Sequence, residues 1–138
     1  MRWLGLAVAI SMATFVAPAT AVAATHVTYT SPDCIHLHVR PTKIVFACGD
    51  GNFYASHLTW DRWRVWKAVG EGLFHLNDCR PDCAGGTFHN RRGRIVLRRR
   101  IRCTGLHEHV FGRASVTYQR PLLGRTHESF RLLLPPRC

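Results

Sequence analysis

KIVFACGDGNFYASHLTW, residues 43–60, is the stretch on which the fold turns. Lys43 to Ala47 is β-branched and aromatic, Gly49 to Asn52 is a cluster of turn formers, and Phe53 to Trp60 alternates again. Strand, turn, strand is the signature of an antiparallel hairpin. The second strand keeps an uneven rhythm: Phe53, Ala55 and His57 fall on one face, whereas Tyr54, Leu58 and Trp60 are less regularly placed. Asp50-Gly51-Asn52 opens like a calcium loop but lacks the later Gly and Glu, so it reads as a hairpin turn.

The same pattern continues outward. His36 to Val39, Arg94 to Cys103, Val110 to Tyr118 and Ser129 to Leu134 are further strand candidates. Gly70-Glu71-Gly72, Gly85-Gly86, Gly105, Gly112 and Gly124 punctuate them. No segment of a dozen residues carries a 3.6-residue apolar period, and only Trp63 to Val69 has room for a short helix before Gly70. Short strands with frequent glycine turns predict an all-β fold, a small antiparallel β-sandwich or barrel.

The N-terminus has a separate character. Arg2, an apolar run from Trp3 to Ala17, Pro18 and the small residues Ala21, Ala23 and Ala24 have the layout of a secretory signal peptide. The run is shorter than the roughly 20 residues that span a bilayer, and no later segment is long and apolar enough to do so. Residues 1–24 are therefore expected to be cleaved, leaving residues 25–138 as a single domain, outside the cell or in its wall, with Thr25 to Pro32 as a loose lead-in. Six cysteines, Cys34, Cys48, Cys79, Cys83, Cys103 and Cys138, all follow the leader. An even number in a small exported chain predicts disulfides, but spacing alone cannot choose the partners. Cys79 and Cys83, separated by three residues in a loop dense in turn formers, can join each other or send one partner to Cys48. Cys138 can tie down the C-terminus through Cys103 or Cys34.

Charge and aromatic residues carry the functional signal. The chain holds 19 Lys and Arg against 8 Asp and Glu, a net charge of +11 with histidine neutral. Such a balance favours acidic partners: an anionic envelope polymer, lipid headgroups, nucleic acid or an acidic protein. Residues 91–102 contain seven arginines and no acid. As a regular strand they place Ile95, Leu97, Arg99 and Ile101 on one face and Arg94, Val96, Arg98, Arg100 and Arg102 on the other. Same-face neighbours stand about 6.6 Å apart, near the phosphate spacing of a polyanion. Arg94, Arg98, Arg100 and Arg102 are the expected anion contacts; the alternative is a charge-guarded edge strand. Arg99 on the apolar face needs a partner or an exit. Trp60, Trp63 and Trp66 are three apart, which suits a stacking platform for sugars or bases, but indoles in a small domain are expected to serve chiefly as core. A bend at Asp61-Arg62 would let Trp60 and Trp63 meet.

The nine histidines assemble no recognisable motif. His36-x-His38 and His107-Glu108-His109 are pairs without an evident third ligand, so neither a metal nor a cofactor is expected. His107, Glu108, His109 and Arg113 form the nearest thing to a phosphate-handling acid–base set, but no catalytic residue is assigned. Ser56, Ser115 and Ser129 sit in no nucleophile elbow.

One run of residues resembles a known group. An apolar strand into Ala47-Cys48-Gly49-Asp50-Gly51-Asn52 is followed by Leu58-Thr59-Trp60, Trp63, Ala68, Gly70 and Gly72. Asn77-Asp78-Cys79-Arg80-Pro81-Asp82-Cys83-Ala84-Gly85 and a strand from Arg94 to Leu97 complete it. The pattern is similar to that of a family of small exported actinobacterial proteins of unknown function. It spans about the middle half of the chain and implies no activity; Cys34, Cys103, Cys138 and the arginine run lie outside what the family typically carries. The expectation is a secreted basic binding or structural protein contacting anionic envelope polymers. A small secreted hydrolase acting on an anionic polymer, or a toxin- or inhibitor-like module docking through its cysteine loop, is the alternative.

Overall fold

The structure is a computed structural model that describes residues 26–138; the expected leader over residues 1–24 lies outside them. Six strands follow one another as an antiparallel meander: β1 (Ile44–Val45), β2 (Phe53–Trp63), β3 (Ala68–Asn77), β4 (Phe88–Cys103), β5 (Glu108–Leu122) and β6 (Arg125–Arg131). They form a single sheet in sequence order, curled into a half-barrel, so the expectation of an all-β fold holds in its barrel form. The concave face carries the core, with Ile44, Ala55, Phe74, Ile95, Leu97, Ala114 and Val116 fully buried. The two ends of the sheet meet through side chains: Phe130 of β6 lies 4.9 Å from Phe46, just after β1, and 5.4 Å from Phe53 of β2, ring centre to ring centre.

The uneven rhythm of residues 53–60 has a local cause. His57 takes a left-handed backbone conformation, φ 52°, and the β2–β3 register shifts between Ser56 and Thr59. This bulge turns Leu58 and Trp60 inward to join Ala55. A second shift between Trp60 and Arg62 brings the indoles of Trp60 and Trp63 edge to face at 4.7 Å. Both pack against the core, whereas Trp66, at the tip of the next turn, is 69% exposed.

β3 corrects the sequence expectation most. Gly70 and Gly72 read as turn residues in the sequence, yet both lie within a strand at the middle of the sheet. They are there because the curl presses β2 onto β3: a Cβ on Gly72 would come within 2.7 Å of Leu58 Cδ2, and one on Gly70 within 2.8 Å of Trp60 Cε3. The short helix expected over Trp63 to Val69 is likewise absent, since that stretch is the β2–β3 hairpin, Trp63 pairing with Ala68. The one helical turn described is a 3-10 turn at Thr104–Leu106. His36 to Val39 forms no strand beyond a bridge between His38 and Thr30.

The lead-in is not loose over its described part. Tyr29 pairs with the free edge of β5, its N–H donating to the His109 carbonyl at 2.8 Å and its carbonyl accepting from the Phe111 N–H at 2.9 Å. Thr28 and Thr30 are buried, and the Trp63 Nε1 donates to the Thr28 carbonyl at 2.8 Å. This segment joins the end of β5 to the tip of the β2–β3 hairpin. Three disulfides complete the frame: Cys34–Cys48, Cys79–Cys83 and Cys103–Cys138, with no free cysteine among the described residues. No helix among those residues is long and apolar enough to cross a membrane. Small size and three disulfides are compatible with an extracellular protein.

Candidate functional site

The arginines of β4 divide into two groups. From Gly93 to Leu97 the strand alternates cleanly, with Gly93, Ile95 and Leu97 buried and Arg92, Arg94 and Arg98 outward. On the convex face Arg98 lies directly opposite Arg113 of β5, which lies directly opposite Arg131 of β6. Three guanidinium side chains thus stand in one row across adjacent strands spaced about 4.8 Å apart. Arg94 projects from the same face, four residues from Arg98, in a row with Glu71 of β3 on one side and Thr117 and His127 on the other. All four arginines are exposed, and none forms an ion pair among the described residues.

The regular strand stops at Arg99. Its backbone enters the left-handed region, φ 60°, opposite Gly112. Phe111 and Ala114 are three residues apart yet both sit in the core, which an unbroken strand forbids. The faces therefore exchange at Arg99–Gly112, and this corrects the expectation that Arg94, Arg98, Arg100 and Arg102 share one surface. It also removes the problem of Arg99, which is exposed.

Arg100 consequently points to the mouth of the half-barrel. Its Nε donates to Thr28 Oγ1 at 3.2 Å, and that hydroxyl donates to the Val65 carbonyl at 2.6 Å. The guanidinium carbon lies 5.1 Å from the ring centre of Trp66. Around them opens a cleft of about 580 Å³ lined by His26, Arg64, Val65, Trp66, Arg100 and His109. Arg102 lines an adjoining cleft with His107, Glu108 and His109. Desolvation, followed by the positive charges of Arg100 and Arg102, depresses the His109 pKa below its ordinary value of 6.5.

The remaining candidates converge only in part. His107, which caps the 3-10 turn in a left-handed conformation, lines one cleft with Glu108, His109 and Arg102, whereas Arg113 belongs to the convex row, so the acid–base set lacks its arginine. His36 is held by Asp33, Nδ1 to Oδ2 at 2.6 Å, in an exposed loop. No group of three or more His, Cys, Asp or Glu that could hold a metal occurs among the described residues. The Cys79–Cys83 loop is organised by its own polar residues: the Asn77 carboxamide donates to the Cys83 carbonyl and to Asn52 Oδ1, both at 2.8 Å.

Two features escape the sequence reading. Arg113 and Arg131 lie far from the arginine run, and only strand register brings them to it. The second is a polar cluster on β2 and β3, where Ser56 Oγ sits 2.8 Å from His75 Nε2 and 2.9 Å from His57 Nδ1. Tyr54 stacks on His75 at 4.3 Å, and burial pulls the His75 pKa down. A reading that makes Gly70 to Gly72 a turn cannot place His75 on a strand beside Ser56. Comparison of the chain with family models, curated proteins and solved structures finds no match.

Proposed function

We propose that this is an exported basic protein that binds anionic polymers of the cell envelope through the convex face of β4, β5 and β6. Arg94, Arg98, Arg113 and Arg131 are the contacts. The observation that carries this reading is the row Arg98–Arg113–Arg131. Like charges placed directly opposite on neighbouring strands destabilise a sheet, and no acid among the described residues neutralises these three. A phosphate- or carboxylate-bearing chain laid across the strands would supply the missing counter-charge, and guanidinium groups suit it through paired N–H donors. Binding rather than turnover is favoured by the place of Arg113 on the convex face, apart from the cleft that His107, Glu108 and His109 line. The leader-like N-terminus, the disulfides and the resemblance to small exported proteins support action outside the cytoplasm.

The test is salt-dependent retention of the disulfide-intact residue 25–138 chain on immobilised polyphosphate. Arg98→Gln, Arg113→Gln and Arg131→Gln together are expected to lower the eluting salt concentration. The slope of log affinity against log salt should shrink by about 0.7–0.9 for each phosphate that the variant no longer neutralises. Arg80→Gln, an exposed arginine in the cysteine loop, serves as the control. A loss in the control of one third or more of that in the triple variant, which removes three charges to its one, would mean that net charge alone drives retention, and the reading would fall.

A further inference from the structure

The mouth cleft stands on residues other than the convex row, and its construction is more specific. Trp66 takes no part in the core and exposes 69% of its surface at a hairpin tip. The Arg100 guanidinium lies over its ring, 5.1 Å from the ring centre. That guanidinium is anchored in turn, because Nε is bonded to Thr28 Oγ1, and Thr28 is fully buried and bonded to Val65. The Arg100 Nη nitrogens make no hydrogen bond among the described residues. A flat aromatic surface and a fixed, unused pair of N–H donors therefore adjoin one cleft, with Arg64 and His109 beside them. A volume of about 580 Å³ lies in the range of small-molecule sites, roughly 300–1,000 Å³.

We infer that this cleft binds a nucleoside phosphate, as a free nucleotide or as one unit of a single strand, with the base on the open face of Trp66 and the phosphate on the Arg100 Nη donors. Base stacking on an aromatic side chain tolerates any base, because each presents a π-face, and arginine beside the stack adds cation–π attraction. The phosphate answers the charge: Arg64 and Arg100 line the cleft and no Asp or Glu does. Arginine meets phosphate through two parallel N–H donors, and fixing the guanidinium beforehand reduces the ordering cost of binding.

The experiment is calorimetric titration of the disulfide-intact residue 25–138 chain with adenosine 5′-monophosphate, adenosine and ribose 5-phosphate. The nucleotide should bind about tenfold or more tightly than either half. Trp66→Ala and Arg100→Gln should each weaken it about tenfold, and Arg80→Gln should leave it unchanged. Trp66 is exposed enough for its removal to spare the fold, and near-ultraviolet circular dichroism checks this for both variants. Ribose 5-phosphate binding as tightly as the nucleotide would show an anion site without stacking and overturn the proposal. Adenosine binding as tightly, or a Trp66→Ala chain that binds unchanged, would overturn it equally. A dT5 oligonucleotide that binds more tightly than thymidine 5′-monophosphate, with the gain lost on Trp66→Ala, assigns the cleft to a single strand; equal affinity assigns it to the free nucleotide.

Discussion

At Arg99 the backbone takes φ 60°, a conformation that a side chain with a Cβ adopts only at a cost. One residue there reverses the two faces of β4 and sends Arg98 and Arg100 to opposite surfaces. His57, φ 52°, does the same for β2 and turns Leu58 and Trp60 inward. A β-branched side chain suits this region least, so Arg99→Val is expected to lower stability by about 1–2 kcal/mol, whereas Arg99→Gly should hold or raise it. Urea denaturation of the two variants, compared at equal slope, checks the prediction. Both reversals leave a trace in the sequence as misfits, an arginine in the apolar phase of one strand and a leucine out of phase in another. The misfits show that the alternation must break, but not at which peptide.

Among the elements, β3 is hidden because its glycines look like punctuation. The half-barrel needs them as strand residues, since β2 presses its side chains into the space a Cβ would take. The disulfides act at the same scale. Cys103–Cys138 closes a loop of sequence separation 35, and Cys79–Cys83 one of 4. In the chain-entropy account, replacing the first pair with serine should cost about 4 kcal/mol and the second about 2 kcal/mol, and denaturation midpoints of the two double variants would show that order. The β3–β4 loop also has an acid limit. Asp78 accepts from the Thr87 N–H at 2.9 Å and from His89 Nε2 at 3.0 Å. The Thr87 backbone bond, then His89, pull its pKa from 3.8 to about 2. A carboxylate with a folded pKa below its unfolded one stabilises above the unfolded value, and that stabilisation fades as pH falls through the folded value. Melting temperature should therefore drop between about pH 4 and 2, and Asp78→Asn should lose stability at pH 7 and show a shallower drop.

Over the whole molecule, a net charge of +11 opposes compactness by self-repulsion, and the convex row concentrates part of that cost on one surface. A polyanion that binds the folded chain alone should raise its unfolding free energy by about 2.7 kcal/mol at one hundred times its dissociation constant. A thermal melt with and without polyphosphate measures this, and the triple glutamine variant should lose most of the gain. The closure of the half-barrel belongs to this scale too, because Phe46 and Phe130 meet across 84 positions of chain.

By itself the sequence determined the all-β class, the hairpin at residues 43–60, the oxidised cysteines and a strand rich in arginine. Each of these rests on short-range chemistry: alternation, turn residues, cysteine number and local charge. Tertiary structure alone decided that Arg113 and Arg131 extend the row begun by Arg98, that Thr28 fixes Arg100, and that Trp66 is left outside while Trp60 and Trp63 pack, partly buried, against the core. Those outcomes depend on cross-strand register and on two faces exchanging at a single residue. Register is settled by the summed packing of strands far apart in the chain, which no local window of residues contains.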